Sequence, residues 1–212
     1  MLPLSHLLTF AALAAVVIAI PGPSVIFTIG RALSAGRREA LLTVVGNAAG
    51  EELQVIAVAI GLGAVVEASA ALFTLVKVAG GLYLVFLDVQ AIRHRRLLNE
   101  ALAAQVTPSR ARRALRQGAI VGVTNPKTIV FLAALLPQFA VPSIGSVQLQ
   151  LLELGTIFPL IALVLDTCWA LSASTARAWF ARSRRRLELV GGTGGLAMIG
   201  VGVGLVATGR KD

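Results

Sequence analysis

Thr124-Asn125-Pro126-Lys127-Thr128-Ile129-Val130-Phe131-Leu132, running on to Pro137-Gln138-Phe139, sets a lysine and a helix-breaking proline inside an otherwise apolar run. Proline lacks the backbone donor and clashes with the preceding turn, so a helix that meets it is interrupted. A second interruption of the same kind, Pro21-Gly22-Pro23, lies in the first apolar run of the chain. Backbone groups freed at such breaks are tolerated at membrane depth only where they are buried in protein or face a water-filled cavity.

The surroundings of both breaks are those of a membrane protein. The 212 residues are 57% hydrophobic and only 14% charged, with a mean hydropathy of +0.85, whereas a soluble domain carries about 25% charged residues. Apolar runs of roughly 20 residues, long enough to cross about 30 Å of hydrocarbon, recur from one end to the other. The alternation that a membrane β-barrel requires is absent. A net charge of +9 would suggest nucleic acid in a soluble chain. Here the basic residues are confined to short segments without interleaved aromatics, so they read as topology signals and no nucleic-acid partner is expected. The single cysteine, Cys168, excludes an internal disulfide and a cysteine-rich metal site.

Six spans are predicted, at about 5–30, 40–64, 70–92, 117–137, 148–176 and 189–208. The first is too long, and lacks the basic n-region, for a cleaved leader. In the second, Thr43, Asn47, Glu51 and Gln54 recur at i, i+4, i+8 and i+11 and share one helix face. Glu52 lies about 100° away on a blander face. A carboxylate at a membrane helix centre costs roughly 2.5–3.5 kcal/mol on insertion scales, so Glu51 and Glu52 call for a purpose. Gly46 and Gly50 have the small-xxx-small spacing that admits a second helix at close range. Lys77 and Asp88 sit near opposite ends of the third span, as an interfacial anchor and a surface ion-pair partner. His6 and His94 form no metal or catalytic spacing. The fifth span contains Pro159 and one acid, Asp166. The last carries Gly191, Gly195, Gly200 and Gly204, suited to packing within the bundle or across a homodimer interface.

Lysine and arginine mark the cytoplasmic side. Arg31, Arg37 and Arg38 follow the first span; Arg93, Arg95, Arg96, Arg110, Arg112, Arg113 and Arg116 follow the third; Arg177, Arg182, Arg184, Arg185 and Arg186 follow the fifth. Both termini are then outside, and the two sets of three spans enter the membrane in opposite senses, as a 3+3 inverted repeat within one transporter domain of residues 1–212. Its halves are about 1–92 and 117–208, joined by a basic cytoplasmic loop, 93–116. At 1.5 Å per residue, Pro21 and Pro126 each lie about 15 Å from the inner boundary, with Glu51 at about 20 Å and Asp166 at about 16 Å. Two helix breaks and two acids therefore share one layer.

Discontinuous helices meeting at a midplane site are the pattern of a secondary transporter. Half-helices starting after Pro23 and Pro126 would aim partial positive charge into that layer. A substrate carboxylate would bind there with help from Lys127, leaving an ammonium or a coupling proton to Asp166, Glu51 or Glu52. Asn47, Gln54, Asn125, Gly22 and the prolines Pro21, Pro23 and Pro126 would shape the same site. Such opposite poles suit a zwitterion. No motif of a soluble enzyme competes, and neither an enzyme activity nor a cofactor is expected.

These motifs also resemble the LysE/RhtB family of amino-acid exporters: Pro21-Gly22-Pro23, Gly46 and Gly50, Lys77-Val78-Ala79-Gly80-Gly81-Leu82-Tyr83-Leu84, and the Asn125-Pro126-Lys127 to Pro137-Gln138-Phe139 block, which is the most specific. The likeness covers nearly the whole chain. It implies proton-driven efflux of small amino acids or derivatives such as homoserine, threonine and leucine across a bacterial inner membrane, with Asp166 where the homoserine and threonine exporters carry an acid. Glu51-Glu52 and Gln54, which stands where many members have histidine, depart from the family pattern. Two other readings compete: cation or metal efflux, which the adjacent acids favour and the lack of Cys or His ligands in the spans disfavours, and a non-transport membrane scaffold, which would have no water-filled midplane cavity.

Overall fold

The computed structural model describes residues 2–68 and 111–175, with residues 75, 78, 79, 82 and 86 between them. The rest of the third span with Lys77 and Asp88, the segment 93–110 with His94, the arginines from Arg177 to Arg186 and the glycine-spaced last span lie outside the described residues.

The described residues are helical and include no strand. In chain order the helices are α1 (Leu4–Ala19), α2 (Pro23–Ala35), α3 (Arg37–Ala68), α4 (Ala111–Val123), α5 (Pro126–Leu135) and α6 (Val147–Thr175). Two 3-10 turns, Leu136–Phe139 and Pro142–Ile144, connect α5 to α6. Local chemistry sets the boundaries. Pro23 and Pro126 each occupy the first turn of a helix, where the missing N–H has no intrahelical acceptor to lose. Asn125 caps α5, its side chain accepting from the Lys127 backbone N–H. Between α2 and α3 the chain turns on the single residue Gly36, whose φ of +91° favours glycine.

Two stretches, Arg37–Gly61 of α3 and Val147–Thr175 of α6, are long and apolar enough to cross a membrane. Two helix pairs pass the same test together: α1 with α2, bent by 50°, and Ala111–Val123 with Pro126–Phe139, bent by 45°. The described residues thus supply two candidate spans, or up to four if each bent pair is one span.

Apolar side chains gather in two separate clusters. One joins Phe10, Ala14, Val17, Ile18, Val55, Phe131, Leu132, Leu151, Leu154 and Phe158 among others. The second joins Val25, Ile29, Ala32, Ala40, Val44, Ala170 and Ala173. Along the α1–α2 pair, α3 and α6 alike, buried polar residues fall between the two: Ser24; Asn47, Glu51 and Gln54; and Asp166. A polar layer therefore separates two apolar seals.

α3 and α4 approach one another backbone to backbone. A Cβ on Gly46 would stand 2.1 Å from the Leu115 carbonyl oxygen and one on Gly50 2.3 Å from that of Ala119. The reverse also holds, since Cβ atoms on Gly118 and Gly122 would stand 2.2 Å from the carbonyl oxygens of Thr43 and Asn47. Two small-xxx-small ridges thus face one another backbone to backbone, a contact that no side chain could bridge. Gly50→Ala is expected to cost about 1–3 kcal/mol of stability through overpacking and to lower the unfolding temperature in detergent. Gly61→Ala, with nothing within 4 Å, serves as the neutral control in the same thermal scan.

Candidate functional site

The proline breaks deprive Val17 O and Val123 O of their usual donors, because Pro21 has no N–H and the Lys127 N–H turns to Asn125 Oδ1, while Asn125 O still accepts from the Ile129 N–H. At the first, Lys127 reaches across from α5, and its Nζ donates to Val17 O at 2.6 Å and Ile20 O at 2.7 Å. At the second, the Gln54 amide of α3 donates to Val123 O at 2.9 Å and Asn125 O at 3.2 Å. Each break is closed by a side chain from another helix. Gly22 leaves room for the lysine: a Cβ there would lie 2.8 Å from Lys127 Cδ. Asn125 ties the two breaks together by donating to Ser24 Oγ at 2.8 Å and to Thr128 Oγ1 at 2.9 Å.

Facing this arrangement are the acids. Asn47 Nδ2 donates to Glu51 Oε1 at 3.0 Å and to Asp166 Oδ2 at 3.3 Å, so one amide holds a carboxylate of α3 and a carboxylate of α6. Their other oxygens, Glu51 Oε2 and Asp166 Oδ1, are buried and have no hydrogen-bond partner among the described residues. Ionic groups buried this way are costly unless a further charge or donor meets them. The Lys127 ammonium acts electrostatically on both.

A small cavity of about 20 Å³ lies between the two poles. One wall has Gly22, Ser24 and Val25 at the start of α2, with Asn125, Lys127 and Thr128 at the start of α5; the other has Glu51 and Asp166; Ile18 and Phe158 close it. A water needs roughly 10–15 Å³ of such space, so the cavity has room for one or two waters and is too small for an amino acid.

The residues predicted from sequence are distributed as follows. Gly22, Glu51, Asn125, Lys127 and Asp166 line the cavity. Asn47 and Gln54 stand behind it, one holding the acids and the other closing the α4–α5 break. Pro21, Pro23 and Pro126 shape the breaks without lining the cavity. Glu52 points elsewhere and accepts from Thr156 Oγ1 of α6 at 3.0 Å, as its 100° displacement from Glu51 requires. Gly46 and Gly50 belong to the α3–α4 contact. Sequence reasoning passed over Ser24 and Thr128, which line the cavity, and Arg31, which it counts as a loop charge. Arg31 lies in α2 and is buried, because Glu39 and Gln117 receive its guanidinium. The spacing of Ser24, Thr28 and Arg31 (i, i+4, i+7) was the available signal. Among the described residues no group of three or more His, Cys, Asp or Glu could hold a metal ion.

The family model of the LysE type translocator matches residues 15–209. The chain belongs to the LysE type translocator family. That family is one of membrane transporters. Among its relatives, an "uncharacterized membrane protein" of Vibrio cholerae is 37% identical over 158 residues, covering 74% of this chain and 76% of that one. A homoserine/homoserine lactone efflux protein of Salmonella typhimurium is 34% identical over 179 residues, covering 84% and 85%. A threonine efflux protein of Escherichia coli is 32% identical over 142 residues, covering 66% and 68%. No solved structure matches the chain.

The two caps on the breaks can be tested apart from transport. Lys127→Met removes two charge-assisted bonds, each worth about 1.5–3 kcal/mol. Amide hydrogen exchange in residues 17–22 should therefore accelerate at least about tenfold, read by mass spectrometry on the detergent-solubilised protein. Exchange in α6 should stay as it was.

Proposed function

We propose that this translocator exports small amino acids or their derivatives, of the homoserine, threonine and leucine kind, in exchange for protons. The observation that carries the reading is the cavity with opposite poles: the starts of α2 and α5 with Lys127 on one side, Glu51 and Asp166 on the other. After each proline, the Ser24 and Val25 N–H groups of α2 and the Thr128 N–H of α5 have no intrahelical acceptor, while the Lys127 N–H is held by Asn125 Oδ1. Together with the aligned peptide dipoles these groups favour a carboxylate. The substrate ammonium then meets the open oxygens of Glu51 and Asp166.

The same two carboxylates serve the returning proton, with Asn47 holding them in register and Glu52 as the neighbouring acid outside the cavity. The names of the Salmonella and Escherichia coli relatives support an amino-acid substrate. We place the chain in a bacterial inner membrane with lipid around its outer faces, as a single domain of six spans with both termini outside, its halves inverted and a homodimer as its assembly. The two similarly bent pairs, at 50° and 45°, support the inverted repeat.

Because the cavity is smaller than an amino acid, loading requires the helices around it to separate. Proteoliposomes loaded with an amino-acid panel and placed in an imposed pH gradient test the reading. Efflux of at least one small neutral amino acid should follow the gradient and collapse with a protonophore. The double variant Glu51→Gln with Asp166→Asn should slow it at least about tenfold, since a hydrogen bond to a charged group contributes about 1.5–3 kcal/mol. Undiminished gradient-driven efflux in that variant would overturn the role of the carboxylates.

A further inference from the structure

Among the described residues, the reading above leaves the buried ion pair of Arg31 and Glu39 unused. Arg31 on α2 is only 4% exposed. Its guanidinium donates to the Gln117 side chain of α4, pairs with Glu39 of α3 at 3.6 Å, and lies over the Phe27 ring at 5.3 Å. Three helices meet on one side chain. A buried ion pair is weak grounds for stability, because desolvation offsets the attraction; its best-attested use is to specify one arrangement over another.

The group also stands at the end of two buried polar stripes. On α2, Ser24, Thr28 and Arg31 share one face, and on α3 Glu39, Thr43, Asn47 and Glu51 share another. The stripes meet at both ends: Ser24 and Glu51 line the same cavity, and Arg31 pairs with Glu39. Between them Thr28 Oγ1 is buried without a hydrogen-bond partner among the described residues. An unsatisfied hydroxyl in a sealed interior is costly, and it is satisfied once water enters.

The two seals differ in what opening would expose. Toward the α1 end it would uncover Phe10, Phe131 and Phe158, which stack in sequence with ring centroids 5.9 and 5.3 Å apart. Exposing aromatic side chains of that size to water is strongly unfavourable. Toward the Arg31 end the buried apolar members are Val25, Ile29, Val44 and four alanines, and the charged pair regains hydration on exposure.

We propose that the space between the Ser24-Thr28-Arg31 and Glu39-Thr43-Asn47-Glu51 stripes is the closed substrate-loading path, and that Arg31, held by Glu39 and Gln117, is its gate. This inference rests on the exporter reading of the cavity. In the topology read from the basic residues, the path faces the cytoplasm. Separation of α2 from α3 and α4 breaks the Arg31 contacts, wets Thr28 and connects the cavity to the side from which an exporter must load.

Site-directed labelling tests it. Thr28→Cys in a Cys168→Ser background is exposed to a membrane-impermeant maleimide in proteoliposomes sorted by orientation, with amino-acid efflux read on the same vesicles. The neutral pair Arg31→Gln with Glu39→Gln, which leaves no uncompensated charge, should raise labelling from the cytoplasmic face about tenfold, the shift that about 1.4 kcal/mol of lost closure produces. The swapped pair Arg31→Glu with Glu39→Arg should bring the rate back toward that of the Arg31–Glu39 parent. Gln117→Leu, which removes only the α4 tether, should raise it by a smaller factor and serves where the double variant does not fold. Unchanged labelling in the folded variants, or labelling from the opposite face, would overturn the gate. Loss of the exporter reading instead shows as absent efflux in the parent protein, whatever the labelling.

Discussion

A helix interrupted at membrane depth cannot leave its carbonyls bare. In lipid an unsatisfied backbone group costs several kcal/mol, and no bulk water is at hand to meet it. Pro21-Gly22-Pro23 and Asn125-Pro126 create this cost twice, and the fold answers it twice, with Lys127 on Val17 and Ile20 and with Gln54 on Val123. Much else follows from these contacts. Lys127 brings α5 against the α1–α2 break, Gln54 brings α3 against the α4–α5 break, and Asn125 links the starts of α2 and α5 through Ser24. The cavity is the space that remains where those tethered pieces face the acids of α3 and α6.

The glycine ridges make this geometry possible. Gln54 reaches two carbonyls across the α3–α4 interface because Gly46, Gly50, Gly118 and Gly122 let the two backbones approach without side chains between them. A similar economy operates between α3 and α6, where a Cβ on Gly155 would lie 2.4 Å from Val55 Cγ1. Pro159, one turn on from Gly155, sits inside α6 and denies that helix one hydrogen bond. α3 is thus held on both sides by small residues, and its polar stripe is kept in the plane of the breaks.

Much of this was open to a reading of residues alone, and the reason is periodicity. Helical spacing places Thr43, Asn47, Glu51 and Gln54 on one face, and all four are buried; the same spacing separates Glu52 from them. Helix interruptions follow from proline chemistry, which is local. What was not legible depends on partners distant in the chain. Arg31 reads as one more basic residue beside Arg37 and Arg38 until Gln117, 86 residues away, is seen to receive it. Lys127 calls for a counter-charge in any sequence-based reading, yet its ammonium donates to the main-chain carbonyls of Val17 and Ile20, which carry no signature in the amino-acid letters.

The unequal chemistry of the two caps gives the polar layer its electrical character. Had both breaks been closed by neutral amides, as Gln54 closes the second, Glu51 and Asp166 would face the cavity with only helix dipoles opposite them. Lysine at the first break places one full positive charge against two carboxyl groups whose remaining oxygens stand open. Ionised carboxylates in such a dry setting require close compensation, because the cost of stripping their water is several kcal/mol each. One ammonium compensates one carboxylate, and the layer is left wanting a single further positive charge. A proton satisfies that want outright, whereas a zwitterionic amino acid meets it only locally, its ammonium at the acids and its own carboxylate at the opposite pole. In the exporter reading proposed above, proton and substrate ammonium compete for this one acidic pole, independently of which side chain the substrate carries.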